Sequence, residues 1–404
     1  MRSRGEAWKV AGLFLKLGFT AFGGPAAHIA MMRREAVERR KWMSEEAFLD
    51  LVGATNLIPG PNSTEMAIHI GYLRAGWPGL FAAGLAFIVP AMLMVSGLAW
   101  LYVRSGLVPQ VAWLLYGVKP VVIALILHAL WNLGRTAIKG LPEKIGFTAV
   151  LTLYFLGANE IALLLGSGAL MLFRARGQAA EREKGERDGE GREGGEGGGN
   201  PGPGAPGRAW LPAAGMGMAA AGLAGTPALP FTLTLLFLKF LKIGSVMYGS
   251  GYVLLPFLRT EFTRHAGWLS ESQIMDAVSV GQVTPGPFFT TATFIGYVLG
   301  GMPGGLLATL GIFLPAFVFV AVSNPYIPRI RNSFRVGRFL DGVNVASLAL
   351  MAGAAWQTGK ASVVDGTTAG LAVLALYFLF RRNAPSTLLL AGGGLIGIAV
   401  KSLA

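Results

Sequence analysis

Long apolar runs decide where this chain can fold. Residues 79–103, 118–133, 161–173, 305–322 and 371–380 contain almost no charge. A run near or above about 18 apolar residues is long enough to cross a bilayer as a helix, and shorter runs serve as partial or paired segments. The chain is 53% hydrophobic and 14% charged, where a soluble domain carries about a quarter charged residues. Glycine (58) and proline (22) are frequent. Both are tolerated in membrane helices, and both mark breaks where they cluster. The expected fold class is therefore an all-α polytopic membrane protein.

The same composition removes several chemistries. There is no cysteine, so disulfides, thiolate metal sites and thiol redox chemistry are excluded. The histidines at 28, 69, 128 and 265 have no metal-ligand spacing. No metal and no cofactor is expected. The net charge of +13 could signal nucleic acid in a soluble protein. Here Lys and Arg collect in loops, as the cytoplasmic face of a membrane protein favours, so no nucleic acid partner is expected and the bilayer itself is the partner. Residues 353–360 (GAAWQTGK) resemble a phosphate-binding loop, but the spacing is one residue too long and Ala361 stands where Ser or Thr is needed.

Residues 177–208 are a low-complexity stretch of Gly, Pro and mixed charge that cannot bury apolar surface. It reads as a flexible linker between an N-terminal repeat (1–176) and an extra apolar segment (209–230) that precedes a C-terminal repeat (231–404). The two repeats align with Gly18 against Gly244. Lys16 pairs with Lys242, Gly23 with Gly249, Arg33 with Arg259, Glu35 with Glu261, Ser44 with Ser270, and Asp50 with Asp276. Pro59-Gly60-Pro61 pairs with Pro285-Gly286-Pro287. After a one-residue slip the match resumes at Gly71-Tyr72 with Gly296-Tyr297 and runs through Pro90/Pro315 to Trp131/Trp356. Internal symmetry of this kind is the sequence mark of many transporter folds. The basic N-terminus before an apolar run resembles a signal peptide, but the return of the same pattern in mid-chain argues against it.

Charge also predicts orientation. Arg33, Arg34, Arg39, Arg40 and Lys41 follow the first element of the first repeat, while the later basic loop, Arg329, Arg331, Arg335 and Arg338, belongs to the second. Positive-inside then puts the early loop of one repeat and the late loop of the other in the cytoplasm, together with the linker. The repeats would have inverted topology, with segment 209–230 supplying the turnover. Roughly 10–13 membrane segments are expected from the length of the apolar runs.

Each repeat contains two breaks. Phe22-Gly23-Gly24-Pro25 corresponds to Tyr248-Gly249-Ser250-Gly251, and Pro59-Gly60-Pro61-Asn62 to Pro285-Gly286-Pro287-Phe288. Pro-Gly-Pro cannot continue a helix. The apolar pieces beside the first one, 47–58 and 63–73, are each about 18 Å or less as helix, too short to span. Re-entrant half-helices meeting inside the membrane are expected, since broken backbone survives there only beside protein or a watery cavity. A half-helix starting after Pro61 or Pro287 turns free N–H groups and a positive dipole end toward the break, which makes an anion site. Asn56, Asn62, Ser63, Thr64, Gln282, Thr290 and Thr291 supply polar side chains there, and Gly23, Gly24, Gly60, Gly249, Ser250, Gly251 and Gly286 admit backbone donors. Lys16 and Lys242 add formal charge about two turns before the glycine breaks. Glu65 and His69 lie one turn apart on one face and are candidates for proton coupling. A structural partnership of Glu65 with Lys16 or Lys119 is the alternative. Ser44 and Ser270 fit as helix N-caps.

The stretches FTAFGGP (19–25), WMSEEAFLD (42–50), NLIPGPNSTEMAIHIGY (56–72), YGSGYVLLPFL (248–258), WLS (268–270) and QVTPGPFFTTATFIGY (282–297) together resemble the long-chain chromate ion transporter family. The resemblance covers nearly the whole chain outside the linker. It implies a secondary transporter of the bacterial inner membrane that exports chromate and handles sulfate, with two inverted halves. A sulfate or other oxyanion uptake carrier and a passive anion channel are the alternatives, and an intramembrane enzyme the rival of another class. A homodimer is among the assemblies left open.

Overall fold

The computed structural model describes residues 2–22, 24–104, 109–174, 230–248, 251–324 and 334–403. The linker, segment 209–229, Gly23, Gly249, Ser250, Arg329 and Arg331 lie outside them. The described residues are almost entirely helical and include no strand.

The first repeat runs α1 (Arg2–Thr20), α2 (Gly24–Arg33), α3 (Glu45–Thr55), α4 (Asn62–Arg104), α5 (Pro109–Ala137), α6 (Leu141–Phe155) and α7 (160–174). The second runs α8 (Leu233–Val246), α9 (Leu254–Leu258), α10 (Glu271–Val283), α11 (Thr291–Ser323), α12 (Phe334–Ser362), α13 (Gly366–Arg382) and α14 (Ser386–Leu403). The order is the same element for element. α2 and α9 each widen into a π-turn, at Arg34–Arg39 and Arg259–His265. α3 and α10 begin as expected: Ser44 Oγ accepts from Ala47 N at 3.2 Å, and Ser270 Oγ accepts from Gln273 N at 3.2 Å.

Both long helices are broken at equivalent points. Ala75 (φ −139°, ψ 17°) and Gly76 (φ 62°, ψ −147°) interrupt α4; Gly300 (φ −141°, ψ 22°) and Gly301 (φ 61°, ψ −157°) interrupt α11. The left-handed φ suits glycine, which has no Cβ to clash with the following carbonyl. Pro78 and Pro303 follow two residues later and start the next arm. At each break the chain doubles back. A Cβ on Gly71 would strike Gly79 O and Ala83, and Gly84 lies beside Ile68. In α11, a Cβ on Gly296 would strike Gly304 O and Ala308, and Thr293 and Thr309 share a hydroxyl hydrogen bond of 2.7 Å. Each helix is thus a hairpin: a short arm (62–74) of about 20 Å and a longer one (77–104) in the first repeat.

α1 packs on α4, α8 packs on α11, and α4 packs on α11 at the centre. Around this core α5 packs against α12, α13 and α14. Among the described residues, five helices are long and apolar enough to cross a membrane. Leu85, Leu93, Leu310, Val318 and Leu395 are exposed on their outer faces. So much exposed apolar surface is unfavourable in water and suits lipid. The chain is a multi-pass membrane protein.

Candidate functional site

Each proline-glycine break is bonded to the other repeat. Gly60 donates its N–H to Met247 O at 2.7 Å, and Gly286 donates its N–H to Ala21 O at 2.8 Å. Ala21 and Met247 are equivalent residues, each just after the first helix of its repeat. Gly60 also faces Ala316, as Gly286 faces the equivalent Ala91. Contacts that are reciprocal in this way are what a two-fold relation between two copies produces. Two crossings result. In one, Pro285-Gly286-Pro287 meets the end of α1. In the other, Pro59-Gly60-Pro61 meets the end of α8.

At the first crossing, His28 Nε2 donates to Ala21 O at 3.0 Å. A carbonyl only accepts, so Nε2 carries the proton, and Nδ1 is buried with no partner among the described residues. Gly24 adopts φ +80° before Pro25, so this bend does use glycine's freedom. Thr290 and Thr291 donate to Pro287 O at 2.9 Å and Phe288 O at 2.8 Å. Thr284 likewise donates to Val280 O at 2.8 Å. These hydroxyls cap their own backbone, which leaves their lone pairs and not their protons for a ligand. Gln282 is the hydrogen-bonding neighbour of the Tyr252 hydroxyl, beyond Gly251.

The second crossing is more polar. Asn62 Nδ2 donates to Asn56 Oδ1 at 2.8 Å, a clamp across Pro59 and Pro61. The carbonyl of Pro61 accepts from Thr64 N at 2.7 Å and Glu65 N at 3.0 Å, which closes the first turn of α4. Ser63, Thr64, Glu65 and His69 are all buried. Tyr248 lies within the electrostatic reach of Glu65. Glu65 and His69 share a helix face as expected, but no hydrogen bond joins them.

Lys16 and Lys242 each pair with an acid of their own repeat. Lys16 Nζ lies 3.0 Å from Glu35 Oε1, and Lys242 Nζ lies 2.6 Å from Glu261 Oε1. Their side chains are 53% and 44% exposed. The duplicated lysines therefore match duplicated acids on the π-turns, and a free anion would have to compete with those carboxylates. Arg33–Glu45 and Arg259–Glu271 repeat in the same fashion, each at 2.6 Å. Neither Lys16 nor Lys119 pairs with Glu65.

Sequence reasoning missed one charged cluster. Lys119 Nζ lies 2.8 Å from Asp276 Oδ1, and Tyr102 donates its hydroxyl to Asp276 Oδ2 at 2.9 Å. Lys119 also donates to Ser272 Oγ at 2.8 Å. Asp276 ties α10 to α4 and α5 of the other repeat. A lone lysine in the apolar run 118–133 was the available signal.

The chain was compared with known proteins. The chromate transporter family profile matches twice, over residues 8–172 and 234–398, once per repeat. The chain is 31% identical to the chromate transport protein of Cupriavidus metallidurans over 96% of its own length and 92% of the relative's. It is 30% identical to the probable chromate transport protein of Synechococcus elongatus, over 95% and 93%. The chromate transport protein of Pseudomonas aeruginosa is 28% identical, over 95% and 90%. No solved structure matches the chain. These relatives are transport proteins and not enzymes, and the twofold match follows the repeats seen in the fold: the chain belongs to the chromate transporter family.

Proposed function

We propose that this protein exports chromate from the bacterial cytoplasm as a secondary transporter, with sulfate as an exchanged or competing dianion. The reciprocal crossing of the breaks is the observation that carries this reading. It sets the Pro-Gly-Pro break of each repeat against the end of the other repeat's first helix, as a site at a repeat interface requires. The anion site comprises Gly24, Asn56, Gly60, Asn62, Ser63 and Thr64 of the first repeat with Gln282, Gly286, Thr290 and Thr291 of the second. Helix-end dipoles hold the oxyanion, and Thr290 and Thr291 donate to it only by turning their hydroxyls away from Pro287 O and Phe288 O. Lys16 and Lys242 supply long-range positive charge and are not its first ligands. The repeats 1–176 and 231–404 have inverted topology, and their relative rocking alternates access. The linker 177–208 is cytoplasmic.

Export of a dianion from a negative interior is favourable by about 2.3 kcal/mol per net charge per 100 mV. The potential can therefore drive efflux. Purified protein in vesicles tests the whole reading. Chromate flux should saturate, show counter-transport, respond to an imposed potential, and be inhibited by sulfate more than by phosphate. Flux that never saturates would make the protein a channel. Accumulation against the expected direction would make it an uptake carrier.

A further inference from the structure

The two crossings differ in a way that the repeat does not account for: the first-repeat break carries its own acid. Glu65 has no exposed surface, and neither carboxyl oxygen has a hydrogen-bonding or ionic partner among the described residues. Its Oε1 fills the space that a Cβ on Gly60 would need. The side chain therefore curls back onto the Pro-Gly-Pro bend. The second repeat has Thr291 here, which is satisfied by Phe288 O. Thr64 Oγ1 and both ring nitrogens of His69 are also buried without partners among the described residues. Buried polar atoms are nearly always paired, so such a cluster marks a site completed by something else.

The place Glu65 occupies is the start of a helix, where a free anion would be drawn. Two unit negative charges about 4 Å apart repel by about 4 kcal/mol at an effective dielectric of 20. A dianion beside an ionised Glu65 fares worse. A protonated Glu65 has the opposite effect, because it loses the charge and gains an O–H donor aimed at the site. We propose that Glu65 gates the first-repeat anion seat by its protonation: an oxyanion binds there together with one proton held on the Glu65 carboxyl. The proton comes from water and stays on Glu65, and no bond to the anion is made or broken. This rests on the anion-carrier reading above.

Few groups could take over that role. On its own helix only His69 titrates nearby, and Tyr248 approaches from the end of α8. α11 carries Tyr297 and no charged residue. Lys16 on α1 is matched by Glu35, Glu45 on α3 by Arg33, and Asp276 on α10 by Lys119. His28 on α2 is bonded to Ala21, and Glu46 and Asp50 are the other acids on α3.

The test is chromate affinity against pH for the purified full-length protein and for Glu65→Gln. Chromate's own protonation contributes equally to both. Wild-type affinity should fall about tenfold more per pH unit than that of the variant once Glu65 is ionised, and Glu65→Gln should show only the slope of chromate itself. Equal slopes overturn the proposal while leaving the carrier reading intact. No saturable chromate binding by the wild type overturns both. Should Glu65→Gln fail to fold, wild-type proton uptake decides: one proton per bound chromate, beyond that carried by chromate, is expected in weak buffer, and none refutes the gate.

Discussion

Gly60 of the first repeat donates its backbone N–H to the carbonyl of Met247 in the second, at 2.7 Å. The equivalent bond from Gly286 to Ala21 runs the other way at 2.8 Å. Each repeat thus completes the break of the other, and neither break is built from one repeat alone. Gly60 holds φ +139° and Gly286 φ +90°, where an L side chain is strained. Gly286→Ala should be the more damaging, because its Cβ would lie 2.7 Å from Ala91 Cβ and 3.0 Å from Gly18 O. Gly60→Ala meets a side chain, Glu65, that can swing aside. A loss of about 2–3 kcal/mol is expected for Gly286→Ala and about 1–2 kcal/mol for Gly60→Ala, read as thermal unfolding in detergent. Gly5→Ala, with open space around it, is the neutral control.

The Lys119–Asp276 pair predicts a large coupling. Its side chains are 17% and 8% exposed, so removing one charge strands the other in a poorly solvated place. Asp276→Asn and Lys119→Met should each cost about 3 kcal/mol, and the double variant clearly less than the sum. A double-mutant cycle on unfolding checks it. Additive losses would mean that the pair is not coupled in the native protein.

Much of this architecture was legible in the residues. The duplication, the positions of the breaks and the caps Ser44 and Ser270 follow from local chemistry: proline cannot donate, and a serine before an acid starts a helix. The hairpin turns at Gly76 and Gly301 were not read, although Gly-x-Pro recurs at the same place in both repeats. Apolar residues continue on both sides of each turn, and hydropathy does not record a reversal of direction. Partners were the least visible. Lys119 and Asp276 are 157 positions apart, and Glu35 looked like one more charge in a basic loop. Only the fold shows that Lys16 is already matched and Glu65 is not.

That contrast sets the expectation for the lysines. Lys16→Gln removes a half-exposed ion pair and should cost no more than about 1 kcal/mol of stability. Glu261→Gln is different, because Glu261 receives Lys239 and Lys242, each at 2.6 Å, and is 7% exposed. A loss of about 3 kcal/mol is expected there. Chromate affinity of the Lys16→Gln, Lys242→Gln double variant should stay within about threefold of wild type, since long-range charge is worth little at physiological salt. A tenfold loss, equal to about 1.4 kcal/mol, would return both lysines to the site as direct ligands.

Inversion of the repeats can be decided without a solved structure, because the chain has no cysteine. Single cysteines introduced one at a time beside Arg40 and Arg335 report the face on which each lies. Positive charge is retained on the cytoplasmic side, and the two basic clusters occupy non-equivalent places in the repeat. Inverted repeats put both positions inside, so both should react in inside-out vesicles and resist an impermeant maleimide in intact cells. Parallel repeats leave one basic cluster outside, and one position would then react from each side. In that event a two-fold axis along the membrane normal would relate the repeats. The crossings at Gly60 and Gly286 would lie at the same depth, and rocking of one repeat against the other could no longer exchange the sides to which they open.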